Sequence, residues 1–101
     1  MANNTFKYYK NEKGELKIEM TQNAAKEVKA TLTGFRAGIE KSGFSEKTQL
    51  LFMGQYVADE FLKDTVSWSL TQEDVETDGG TISGPTMFLQ MVEKKIEDLL
   101  G

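Results

Sequence analysis

The sequence contains no histidine and no cysteine, and these two absences exclude more chemistry than any residue present suggests. Without imidazole there is no side chain whose ordinary pKa suits proton transfer near neutrality. Without a thiol there is no thiolate nucleophile, no redox cycle, no disulfide and no N/S-ligated zinc. Carboxylate chemistry survives, because glycoside-cleaving acid pairs and Mg²⁺-dependent phosphoryl transfer need only Asp and Glu. Such sites occupy clefts, and a 101-residue chain has little room for one of about 300 Å³ or more. The chain therefore reads as a non-enzymatic binding or regulatory module with no cofactor and no metal, a small carboxylate enzyme being the least favoured alternative.

Other scarcities set the class. Pro85 is the sole proline and no linker-like stretch appears, so residues 1–101 read as one compact domain. There is no run of about 18 apolar residues that could cross a bilayer. The opening Met1-Ala2-Asn3-Asn4-Thr5-Phe6 lacks the basic-then-apolar layout of a secretory signal, which together with the missing cysteines leads to the expectation of a cytoplasmic protein. Arg36 is the single arginine against eleven lysines, a ratio that fits an AT-rich coding bias of bacterial or phage type. With 39% hydrophobic and 28% charged residues, the composition is that of a folded globular chain.

The net charge of −4 conceals an asymmetry. Residues 1–50 carry nine basic and six acidic side chains, a net of +3, whereas residues 51–101 carry three and ten, a net of −7. The excess concentrates between positions 59 and 78, where Asp59, Glu60, Asp64, Glu73, Asp74, Glu76 and Asp78 oppose Lys63 alone, a local charge of −6. Gathered on one surface, these carboxylates would steer the protein onto a basic partner, in the extreme as an inhibitor that imitates a phosphate backbone. A solvated helix end and loop would explain the same run without a partner. Asp74-Val75-Glu76-Thr77-Asp78-Gly79 repeats the opening of an EF-hand loop, but Pro85 stands at the twelfth position, where a bidentate Glu should close the coordination sphere. Gly79-Gly80-Thr81-Ile82-Ser83-Gly84 lacks the lysine of a phosphate-binding loop.

Local patterns predict an α+β fold of order ββααββα. Phe6 to Lys10 and Glu15 to Met20 flank Asn11-Glu12-Lys13-Gly14, a type I turn closed by a glycine bulge. Counting outward pairs Lys10 with Leu16, Tyr8 with Ile18 and Phe6 with Met20, which puts the apolar residues on one face. Lys7, Tyr9, Lys13 and Lys17 share or border the other face. That is the vocabulary of a nucleic-acid surface, although Glu12, Glu15, Glu19 and the acidic balance argue against it.

Ala24, Val28, Leu32, Phe35 and Ile39 recur at helical spacing, while Val28 to Thr33 also alternates like a strand. In the helical reading Ala30, Gly34 and Gly38 line a small-residue stripe. Ser45 caps a second helix reaching about Lys63, with Leu50, Met53, Val57 and Phe61 on its inner side. Val66, Trp68 and Leu70 alternate with polar residues and read as a strand that joins the sheet and pairs with Thr81-Ile82-Ser83. Pro85 opens a last helix after Ser83 or Gly84. Its stripe Leu89, Val92, Ile96 and Leu99 would pack within the chain or also pair with a second copy in a homodimer.

Overall fold

The structure, a computed structural model, describes residues 4–101. Its elements follow the order β1 (Phe6–Lys10), β2 (Leu16–Met20), α1 (Gln22–Ile39), α2 (Glu46–Phe61), α3 (Thr65–Thr71), β3 (Val75–Thr77), β4 (Gly80–Ile82) and α4 (Gly84–Leu100). The α+β class is as predicted, with one helix more than the sequence pattern suggested. The strands form two separate antiparallel hairpins, β1 with β2 and β3 with β4.

The first hairpin adopts the register required by its turn, from Phe6 opposite Met20 to Lys10 opposite Leu16. Asn11 organises that turn. Its side-chain Oδ1 accepts from the backbone N–H groups of Lys13 and Glu15, both at 2.9 Å, and its carbonyl accepts from Gly14 at 3.0 Å. Gly14 takes φ +77°, the left-handed conformation that closes the bulge.

α1 is a helix throughout, so the alternation over Val28 to Thr33 is overridden. The helical period buries Val28 and Leu32 together, whereas a strand would leave Ala24, Ala25 and Ile39 without a shared face. Thr21 caps it by accepting from Ala24 N–H at 3.3 Å, and Ser45 caps α2 by accepting from Thr48 N–H at 3.2 Å.

The expected Trp68 strand is a helix. Asp64 is the reason: its carboxylate accepts from both the backbone N–H and the hydroxyl of Ser67 at 3.0 Å, a cap that starts α3. Thr71, fully buried, returns its hydroxyl to the Trp68 carbonyl at 2.6 Å. A strand would have placed Val66 with Trp68 and Leu70 on one buried face. The helix turns Val66 outward instead, 77% exposed, while Trp68 and Leu70 pack against the core. The partner of Gly80–Ile82 is accordingly Val75–Thr77, and the expected pairing with 66–71 does not form.

α4 is the spine. Phe88, Leu89 and Val92 are all but inaccessible, and Ile96 is buried below them. Tyr8 meets Phe88 edge-on at a centroid distance of 4.8 Å and Phe6 does so at 5.9 Å, which anchors the apolar face of the hairpin on α4. α1 and α2 pack on the same helix. The stripe considered for a homodimer is thus consumed inside the chain: Leu89, Val92 and Ile96 are core, and Leu99 packs against it. α2 crosses the start of α4 so closely that Gly54 touches the backbone of Pro85.

Candidate functional site

The acidic run is not a loop between two elements; it surrounds α3. Asp59 and Glu60 sit in the last turn of α2, Asp64 at the start of α3, Glu73 and Asp74 just after its end, and Glu76 and Asp78 on the second hairpin. All seven carboxylate residues are exposed. A seven-residue helix is about 10 Å long, so the groups at its two ends lie near one Debye length at physiological ionic strength and their charges add into one local field.

Four of the seven also hold the fold. Asp59 accepts from the Trp68 indole N–H at 2.7 Å and from Gln55 at 3.0 Å, tying α3 to α2. Asp64 is the α3 cap, and the Ser67 backbone N–H, followed by the Ser67 hydroxyl, holds its carboxyl below the ordinary aspartate value. Glu73 lies 3.9 Å from the Lys10 ammonium, and Glu76 accepts from the Thr81 hydroxyl at 2.8 Å. Glu60, Asp74 and Asp78 project with no such bond among the described residues.

Sequence reasoning missed the centre of this surface. Val66 is the most exposed of the large apolar side chains, and it shares the outward side of α3 with Thr65 and Ser69. The available signal was Asp64 followed three residues later by Ser67, a side-chain cap that announces a helix and makes Val66 an early outward position. A second aromatic set lies on α1, α2 and the segment between them: half-buried Phe35 stacks on exposed Tyr56 at 4.6 Å, and exposed Phe44 meets exposed Phe52 edge-on at 5.3 Å. Phe52 and Tyr56 are four residues apart and off the inner stripe of α2, a pattern readable from the sequence.

The chain has more concave surface than its length suggested, although each depression is open to solvent. One of about 310 Å³ runs between α1 and α4 along Arg36 and Glu93, which pair at 2.8 Å. One of about 400 Å³ is lined by Leu70, Met87 and Met91 together with Lys10, Glu73 and Asp74. A third, of about 650 Å³, lies between β1 and the α2–α3 junction. Lys7, Tyr9 and Lys63 reach it, but so do Glu19 and Asp64, so its basic groups are interleaved with acids. Among the described residues no group of three or more Asp and Glu side chains converges on a metal-sized space. The EF-hand-like stretch is instead β3 and its turn, where the Thr77 hydroxyl accepts from Gly79 N–H at 3.2 Å and donates to the Gly80 carbonyl at 2.7 Å. Tyr8, buried beneath the hairpin, has its pKa pushed up to about 12, by burial first and by the Glu73 charge second.

Compared with protein-family models, curated proteins and solved structures, the chain matches none.

Proposed function

We propose that this chain is a non-catalytic interaction module that docks the α3 face on a basic surface of another protein. The observation that carries the reading is Val66, 77% exposed on α3 with carboxylates at both ends of the helix. An apolar centre ringed by charge is the anatomy of a docking patch: the centre excludes water and contributes to affinity, and the rim sets orientation and association rate. Two features of the hairpin favour this reading over nucleic acid. Glu19 lies opposite Lys7 across the strands, and Asp64 lies beside Lys63 in the same depression, so a phosphate backbone would meet both signs of charge.

The test uses the three carboxylates that hold no other residue. The triple variant Glu60→Gln, Asp74→Asn, Asp78→Asn should keep the melting temperature of the parent. In affinity capture from host extract followed by kinetic measurement on the purified partner, it should associate more slowly and with a shallower salt dependence. A Val66→Ser variant should mainly speed dissociation. Unchanged association of the triple variant at low salt would refute docking through this face.

A further inference from the structure

The two strands of the first hairpin have different neighbours, and neither has a further strand beside it among the described residues. α3 packs on β1, whereas β2 packs on β1 and α4 alone among the main contacts of the fold. The backbone bond from Asn11 N–H to the Glu15 carbonyl and that from Thr21 N–H to the Thr5 carbonyl fix the phase of the ladder. Bonded pairs therefore fall at Lys7 with Glu19 and at Tyr9 with Lys17. The N–H and C=O groups of Leu16, Ile18 and Met20 then point away from β1, and among the described residues no hydrogen bond from another element reaches them. Such an edge is a template for a further strand.

We infer that this edge pairs with the same edge of a second copy, antiparallel about a two-fold axis at Ile18, to make a continuous four-stranded sheet. The side chains select both the partner and the register. With Ile18 opposite its own copy, Lys17 faces Glu19 of the second chain and Glu19 faces its Lys17, giving two unlike-charge pairs on the exposed face. Leu16 then faces Met20 on the apolar face, twice. The phase is also correct, because Leu16, Ile18 and Met20 are the residues whose backbone groups are open, so every bond of the new ladder is made between groups that lack one now. Neither neighbouring register survives. A shift of two residues one way sets Lys17 against Lys17, and the other way sets Glu19 against Glu19, like charges directly opposed. The β1 edge offers nothing comparable, since centring on Tyr8 would set Lys7 against Tyr9 and Phe6 against Lys10, with α3 in the way. Self-complementarity in charge, polarity and ladder phase at a single register is what an isologous contact requires.

The absence of cysteine makes the test clean. Chains carrying Lys17→Cys and Glu19→Cys are mixed under mild oxidation. These positions form a non-bonded pair across the proposed interface, about 4.5 Å between Cα atoms, within reach of a disulfide. The mixed disulfide should form at least about tenfold faster than either homodisulfide, whose cysteines would stand on a diagonal about 8 Å apart. In sedimentation equilibrium the parent should dimerise with concentration, and Lys17→Glu should weaken that dimer roughly tenfold by opposing two like pairs. The double variant Lys17→Glu, Glu19→Lys should restore it; because the new lysine then stands opposite Lys7 within the hairpin, circular dichroism of the same variant separates lost pairing from lost folding. A parent that stays monomeric to millimolar concentration, or a mixed disulfide no faster than the homodisulfides, would overturn the proposal.

Discussion

Replacing Gly54 by Ala sets two physical effects against each other, and the structure states which wins. Gly54 lies inside α2, where a helix gains about 1 kcal/mol from Ala in place of Gly. A Cβ at this position, however, would overlap the Pro85 carbonyl oxygen and stand 2.7 Å from the Pro85 carbonyl carbon, far inside van der Waals contact. The obstruction is backbone at the first turn of α4, so no side chain can rotate away and the two helices must separate. Overpacking of a close crossing costs about 1–3 kcal/mol, and backbone against backbone belongs at the upper end. The net is a loss of about 2 kcal/mol, or about 8–16 °C in melting temperature for a domain of this size. Gly34 and Gly38 provide the internal control, since a Cβ on either meets nothing within 4 Å. Gly34→Ala should keep the propensity gain and raise the melting temperature by about 4–8 °C. Thermal unfolding followed by circular dichroism measures both variants and the parent in one experiment. A Gly54→Ala protein as stable as the parent would mean that α2 and α4 do not cross as described.

Three further outcomes follow from the core and its rim. Burial, and after it the Glu73 charge, pushes the Tyr8 hydroxyl up from the ordinary 10.0 to about 12, so the fold favours its neutral form. That contribution is complete below pH 10 and is lost as pH rises toward 12, a fall of roughly 3 kcal/mol that urea titrations across this range should reveal and Tyr8→Phe should abolish. Phe88→Ala removes the ring against which both Phe6 and Tyr8 rest and should cost about 3–5 kcal/mol, enough to leave the hairpin detached in hydrogen exchange. Arg36→Gln breaks the pair with Glu93, whose side chains are 46% and 42% exposed, and chemical denaturation should register less than about 1 kcal/mol.

Where a local signal and the hydrophobic period agreed, the sequence was enough. The Asn11 to Gly14 turn and the alternating residues around it pointed to one register, and Ser45, Ser83 and Pro85 marked helix starts that the structure keeps. Residues 64–71 failed because the alternation of Val66, Trp68 and Leu70 is compatible with two periods, and in seven residues neither dominates. The deciding atoms were the Asp64 carboxylate and the Ser67 donors, a cap whose weight exceeds that of a short hydrophobic pattern. The same error hid part of the candidate site. With 66–71 taken as a strand, Val66 belonged to the interior and the acids on either side belonged to loops. Folded as a helix, the segment becomes a surface with a centre and a rim. The seven carboxylates could be named from composition, but the division between those that brace α3 and those that project depends on Trp68, Ser67, Lys10 and Thr81, partners that meet only in three dimensions.

The two proposed surfaces lie on opposite sides of the hairpin, and that arrangement has a consequence of its own. Pairing through β2 would give the order α3, β1, β2, then β2, β1, α3 of the second chain. Strands about 4.8 Å apart and helices about 10 Å beyond them put the two α3 faces roughly 35 Å apart, pointing away from the shared edge. Such a dimer is bivalent toward any partner that displays basic surfaces in pairs or at high density, and linkage of this kind strengthens retention by roughly a hundredfold or more without a new contact. The expected behaviour differs between the two classes of variant. On a densely coated partner surface, Lys17→Glu should dissociate much faster than the parent, yet bind a single partner molecule in solution with the same affinity. The Glu60, Asp74 and Asp78 neutralised chain should lose affinity in both formats while remaining dimeric. Parallel loss of solution affinity in Lys17→Glu would place Lys17 in the partner contact itself, and the separation between a pairing edge and a docking face would fail.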